Sequence, residues 1–136
     1  MAALLTSYIG RATEAMPDVA DPCFDFVAGW IARATGKDAR AAWQADGEIA
    51  PQRLQADRAL FLVRAQMIAD RLGLAQSEGE GEGDVALLEV LAPGLRRDHV
   101  AGAMAIRSRG LWFVRTARGV LAGPSPFIRA WAVPHG

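Results

Sequence analysis

The chain has 136 residues, 51% of them hydrophobic and 22% charged, which is enough for one packed core and too little for a second. Its fifteen basic and fifteen acidic side chains cancel and form no long block of like charge, so neither a nucleic acid nor an anionic membrane is an expected partner. One cysteine rules out an internal disulfide, and with only two histidines it cannot supply the clustered ligands of a structural zinc site, so neither a metal nor another cofactor is expected.

Leu4, Leu5, Tyr8, Ile9 and Ala12 recur at helical spacing and predict a short amphipathic helix from residue 2 to about residue 15, ending before Pro17. The opening stretch MAALLTSYIGRATEAMPD lacks the basic segment and long apolar segment of a secretion signal, and no apolar run is long enough to cross a bilayer. The expectation is a soluble chain with no signal peptide and no membrane insertion. A second helix is marked by Asp21 as its N-cap and Pro22 at its first position, where a missing N–H is harmless. Phe24, Val27, Ala28, Ile31 and Ala34 or Thr35 then keep the helical period, with Trp30 beside them, until Gly36 supplies a stop. Residues 39 to 45 add a turn or two. Pro51 is expected to open a longer helical stretch carrying Leu54, Leu60, Phe61, Val63, Met67, Ile68 and Leu72 before Gly73.

QSEGEGEGD, residues 76 to 84, is polar and glycine-rich and reads as a flexible surface loop inside a single domain spanning 1–136. Beyond it come runs rich in Val, Leu, Ile, Phe and Trp at 84 to 91, 99 to 107, 111 to 116, about 119 to 122 and 128 to 133, separated by glycine- and proline-containing turns. These predict an antiparallel meander. Helices first and strands afterwards indicate an α+β fold, with an N-terminal helical layer packed on a C-terminal antiparallel sheet.

The candidate chemistry centres on Cys23, which falls in the first turn of the second helix. Unpaired backbone N–H groups and the helix dipole favour a thiolate there. A working nucleophile also needs a base oriented by a third polar group. His135 is penultimate, where chains fray, so His99 at the head of the strand HVAGAMAI is the candidate base. Beside this stands the plain alternative that Cys23, among Phe24, Phe26 and Val27, is a small buried hydrophobe. The four tryptophans are core residues by default, although Trp43 in AAWQADGE is a candidate exposed contact anchor. A third class, a small-ligand binder, lacks a phosphate-cradling glycine loop after a strand, and the carboxylates of EGEGEGD would repel phosphate.

Asp-Pro-Cys opening the helix CFDFVAGWIARATGKD, Gly83-Asp84 leading into GDVALLEVL, and HVAGAMAI opening the next strand together resemble the NlpC-type branch of papain-like cysteine peptidases. The chain is more closely similar to a set of phage and prophage proteins placed beside that superfamily. The similarity rests on Leu4-Leu5-Thr6-Ser7-Tyr8-Ile9, Thr35-Gly36-Lys37-Asp38 and Ala130-Trp131-Ala132-Val133. The resemblance implies a papain-like core, Cys23 as nucleophile and His99 as base, with a third polar residue on the following strand, where Thr116 is the candidate. It further implies cleavage of a peptidoglycan stem-peptide amide, phage tail-tip or hub proteins as partners, and a place in the virion tail after assembly in the bacterial cytoplasm. The sequence departs from the family pattern in Pro22, which separates Asp21 from Cys23, and in Phe24, which stands where the peptidases commonly have serine. The alternative function is a catalytically degenerate structural component of the tail tip, docking through the first helix or through GPSPFIRAWAV.

Overall fold

The computed structural model describes residues 2–11, 22–44, 57–91, 100–116, 119–124 and 127–134. Four helices come first: α1 (Ala2–Arg11), α2 (Pro22–Thr35), α3 (Ala39–Gln44) and α4 (Arg58–Leu72). Six strands follow: β1 (Gln76–Ser77), β2 (Val85–Leu91), β3 (Val100–Ser108), β4 (Leu111–Thr116), β5 (Gly119–Gly123) and β6 (Phe127–Trp131). The architecture is therefore α+β, with helices α2 and α4 lying against an antiparallel sheet of order β1-β6-β2-β3-β4-β5. None of the helices described is long and apolar enough to cross a membrane.

Helix boundaries follow local chemistry. α2 runs from Pro22 to Thr35, and its stop is Gly36, whose φ of 75° is left-handed and whose N–H bonds back to the Ala32 carbonyl at 2.8 Å. α3 is capped by Asp38, whose carboxylate accepts from the Ala41 N–H at 2.9 Å. α4 begins after Asp57, which accepts from the Leu60 N–H at 3.0 Å, and ends at Gly73 with φ 70°. Pro51 and Leu54, expected at the start of that helix, lie outside the described residues, as do positions 12 to 15 of the first predicted helix.

The predicted strands appear within two residues of their expected limits, but the meander covers only β2 to β5. β6 does not pair beside β5. It returns to the opposite side of the sheet and lies between β1 and β2, with Val85 opposite Trp131 and Ala86 opposite Ala130. Its composition accounts for this: Trp131 is fully buried on the helix side and its indole N–H reaches Gln66 of α4, a position the exposed β5 edge does not offer. The β3–β4 hairpin turns through Arg109 and Gly110, both at positive φ, as a two-residue turn matched to strand twist requires.

The sheet is apolar on both faces. Toward the helices, Val85, Leu87, Met104, Ile106 and Trp131 join Leu5, Val27, Trp30, Ile31, Phe61 and Ile68 in the main core. On the reverse face, Ala86, Leu88, Ala105 and Ala130 are sealed under Trp112, which meets Phe127 edge-on with ring centroids 5.7 Å apart. β4 and β6 are separated by β2 and β3, and the two rings meet above them. Three alanines and Leu88 form the floor and two aromatics the roof.

The glycine-rich stretch is largely a surface loop, with Glu78, Glu80, Gly81 and Glu82 exposed, but part of it is drawn into the fold. It starts as strand β1, and Gly79, Gly83 and Asp84 are buried. Gly79 has φ 77°, and a β-carbon there would come within 2.7 Å of the Phe127 ring, so only glycine lets the loop lie on that roof. The Asp84 carboxylate accepts from the Ser77 hydroxyl at 2.9 Å and from the Gly81 N–H at 3.1 Å. The Gly83 carbonyl accepts from the Trp30 indole at 2.9 Å, tying the loop to α2. Gly83-Asp84 is thus a staple between helix, loop and strand.

Candidate functional site

Cys23 occupies the first turn of α2, as its position after Pro22 predicts. The helix is placed by Phe26, Val27, Trp30 and Ile31, which bury its inner face over β3 and β4. Cys23 is itself part of that packing. It is 8% exposed and belongs to the same apolar cluster as Phe24, Val27 and Trp43. Asp21, His99 and His135 lie outside the described residues. Val100, next after His99 in sequence, begins β3, and Thr116 ends β4 opposite Gly119; α2 packs on both of these strands.

Trp43 is not an exposed anchor. It is 9% exposed, packs against the Phe24 ring at 4.7 Å between centroids and meets Phe61 edge-on at 6.5 Å. Gln44, next to it, is exposed on a helix of six residues whose other side holds the indole in the core. The C-terminal GPSPFIRAWAV segment is likewise drawn into the sheet as β6, with Ala130 and Trp131 buried.

A second constellation was not expected. Between α1, α2 and β4 lies an open cleft of about 420 Å³. Its walls include the Tyr8 and Phe26 rings, stacked at 5.6 Å with planes 14° apart, and the bare backbone of Gly29. A β-carbon at Gly29 would collide with the Tyr8 hydroxyl, which donates to the Phe26 carbonyl at 2.5 Å. Arg11, Arg33 and Arg115 line the cleft with Asp25, and the Asp25 carboxylate is paired with Arg40. Arg115 is 6% exposed. One signal for it is present in LWFVRT: in a strand with period-two sidedness, Arg115 shares the face of Phe113, which packs against the main core.

Burial pushes the Tyr8 phenol up to about 12 from its ordinary 10.0, with the Arg115 charge pulling the other way. Because Tyr8 is the only tyrosine, absorbance at tyrosinate wavelengths reads it directly. The native chain is expected to titrate with a midpoint near 12 and the urea-unfolded chain near 10. The unfolded state then releases its proton first, so this group's contribution is intact below pH 10 and stability falls as pH rises from about 10 toward 12. Coincident titrations of the two states would contradict the burial.

Among the described residues, no group of three or more His, Cys, Asp and Glu side chains is arranged to hold a metal ion. Compared with protein-family models, with curated proteins and with solved structures, the chain matches none.

Proposed function

We propose that this chain is a phage tail-tip component of the NlpC-type, papain-like cysteine peptidase kind in which the peptidase chemistry has degenerated and a structural role remains. The order of parts supports the kinship. A cysteine opens a helix that lies on an antiparallel sheet, Gly83-Asp84 leads into β2, His99 directly precedes β3, and an Ala-Trp pair closes β6. The observation that carries the choice between enzyme and structural protein is the burial of Cys23. A nucleophile must approach a substrate carbonyl, and Cys23 is only 8% exposed, packed in one apolar cluster with Phe24, Val27 and Trp43. Pro22 and Phe24, the two departures from the peptidase pattern, flank it on both sides.

Iodoacetamide labelling tests this reading. Native Cys23 is expected to react more than about 100-fold more slowly near pH 7 than in urea, because labelling must wait for the helix end to open. Release of new amino groups from purified peptidoglycan is expected to be absent from the wild-type chain and from Cys23→Ala alike. Fast native labelling that is suppressed by His99→Ala, together with amine release lost in Cys23→Ala, would establish the active peptidase instead.

A further inference from the structure

We propose that the cleft between α1, α2 and β4 is a binding site for a small organic oxyanion, an apolar body carrying one carboxylate or phosphate group. The proposal does not rest on the peptidase kinship. It rests on volume, charge and the chemistry of the walls.

The cleft's volume of about 420 Å³ falls within the range of pockets that hold small molecules. Its charge is lopsided in a chain that is neutral overall. Among the described residues, three arginines line it with one carboxylate, Asp25, which is engaged by Arg40. Like charges gathered in a concave, low-dielectric wall reinforce one another's field and raise the local concentration of a counter-ion.

The arginines come from three separate elements: Arg11 from the last turn of α1, Arg33 from the last turn of α2, and Arg115 from β4. No local sequence preference gathers them; the fold does. Arg11 and Arg33 are exposed at the rim, whereas Arg115 is 6% exposed and forms part of the inner wall. A planar guanidinium in such a setting matches a carboxylate or phosphate with paired, charge-assisted hydrogen bonds.

The remaining wall selects the rest of the ligand. Tyr8 and Phe26 offer a stacked aromatic surface, and Gly29 keeps it in place by leaving room for the tyrosine. The Tyr8 hydroxyl donates its proton to the Phe26 carbonyl, so the exposed Arg11 and Arg33 are the donors an anion would meet first. Inorganic anions would use only part of such a site. An aromatic or aliphatic acid would use the arginines and the rings together.

Titration calorimetry on the full chain at low salt tests the proposal with benzoate, phenyl phosphate, inorganic phosphate and the neutral isostere benzamide. Saturable binding of benzoate or phenyl phosphate at one site per chain is expected, weakening with added salt, with benzamide and inorganic phosphate weaker. Whichever of benzoate and phenyl phosphate binds better identifies the preferred head group. Arg33→Glu, an exposed substitution whose fold is checked by circular dichroism and its urea midpoint, is expected to weaken binding by at least about tenfold, and Arg115→Met by a similar factor. Failure of both anions to bind at millimolar concentration would overturn the proposal. So would benzamide binding as well as benzoate, or affinity unchanged in both Arg33→Glu and Arg11→Glu.

Discussion

Trp30→Ala is expected to remove about 3–5 kcal/mol of unfolding free energy, a large share of the roughly 5–15 kcal/mol typical of a domain. Trp30 has no exposed surface, sits at the middle of α2 over the sheet, and tilts against the Tyr8 ring with centroids 5.9 Å apart. Truncation therefore loses the apolar burial and opens a cavity where helix, sheet and α1 meet. It also removes the indole N–H from the Gly83 carbonyl. Trp30→Phe separates the two effects. It keeps most of the ring and leaves that carbonyl without its indole partner, which is expected to cost about 1–3 kcal/mol. Urea unfolding of the three chains, followed by circular dichroism, gives the comparison. A Trp30→Ala loss below about 1 kcal/mol would mean that the indole is not central to the core.

Asp84→Ala is expected to cost about 2–3 kcal/mol, through polar groups left behind rather than through lost volume. The Asp84 carboxylate satisfies the Ser77 hydroxyl and the Gly81 N–H, and its own backbone ties β2 to Arg107 of β3. Without it the chain between β1 and β2 loses the acceptor that folds it back on itself. Hydrogen exchange at the Gly81 and Gly83 amides is expected to accelerate first, ahead of exchange in the centre of β2. Asp84→Asn retains an oxygen acceptor and is expected to fall between wild type and alanine. Because Trp30 grips the same loop one residue away, Asp84→Ala and Trp30→Phe are expected to be non-additive in a double-mutant cycle. Additive losses would mean that helix and loop are held independently.

Much of this architecture is legible in the sequence where a single local rule governs. α2 is bracketed by Pro22 and Gly36, β2 follows the turn at Gly83 and β4 follows the turn at Gly110. Strand order is a different matter. Nothing in FIRAW states that it pairs with β2 and not β5, because alternation specifies which side faces inward and not which neighbour lies alongside. The loop from 76 to 84 is legible only in part, for a related reason. Composition reports that glycine and glutamate cannot form a core, but not that Gly79 can lie on a ring from β6 or that Asp84 can be enclosed by its own loop.

The candidate site divides along the same line. The place of Cys23 in the first turn follows from Pro22, whereas its burial depends on Trp43 and its neighbours, which reach it through tertiary packing. The arginine-lined cleft has one local trace, the parity of Arg115 with Phe113. Arg11 and Arg33 join it only when α1 and α2 are brought side by side.

The return of β6 to the centre of the sheet bears on how the chain reaches its native state. The hairpins from β2 to β5 can form as soon as each strand leaves the ribosome, but β2 keeps an open hydrogen-bonding edge, and β1 has no partner, until the last described strand arrives between them. Closure of the sheet is therefore a late, long-range event, and nascent chains stalled short of Phe127 would expose a strand edge prone to pairing with other molecules. Assembly of the described sheet is gated by the arrival of β6.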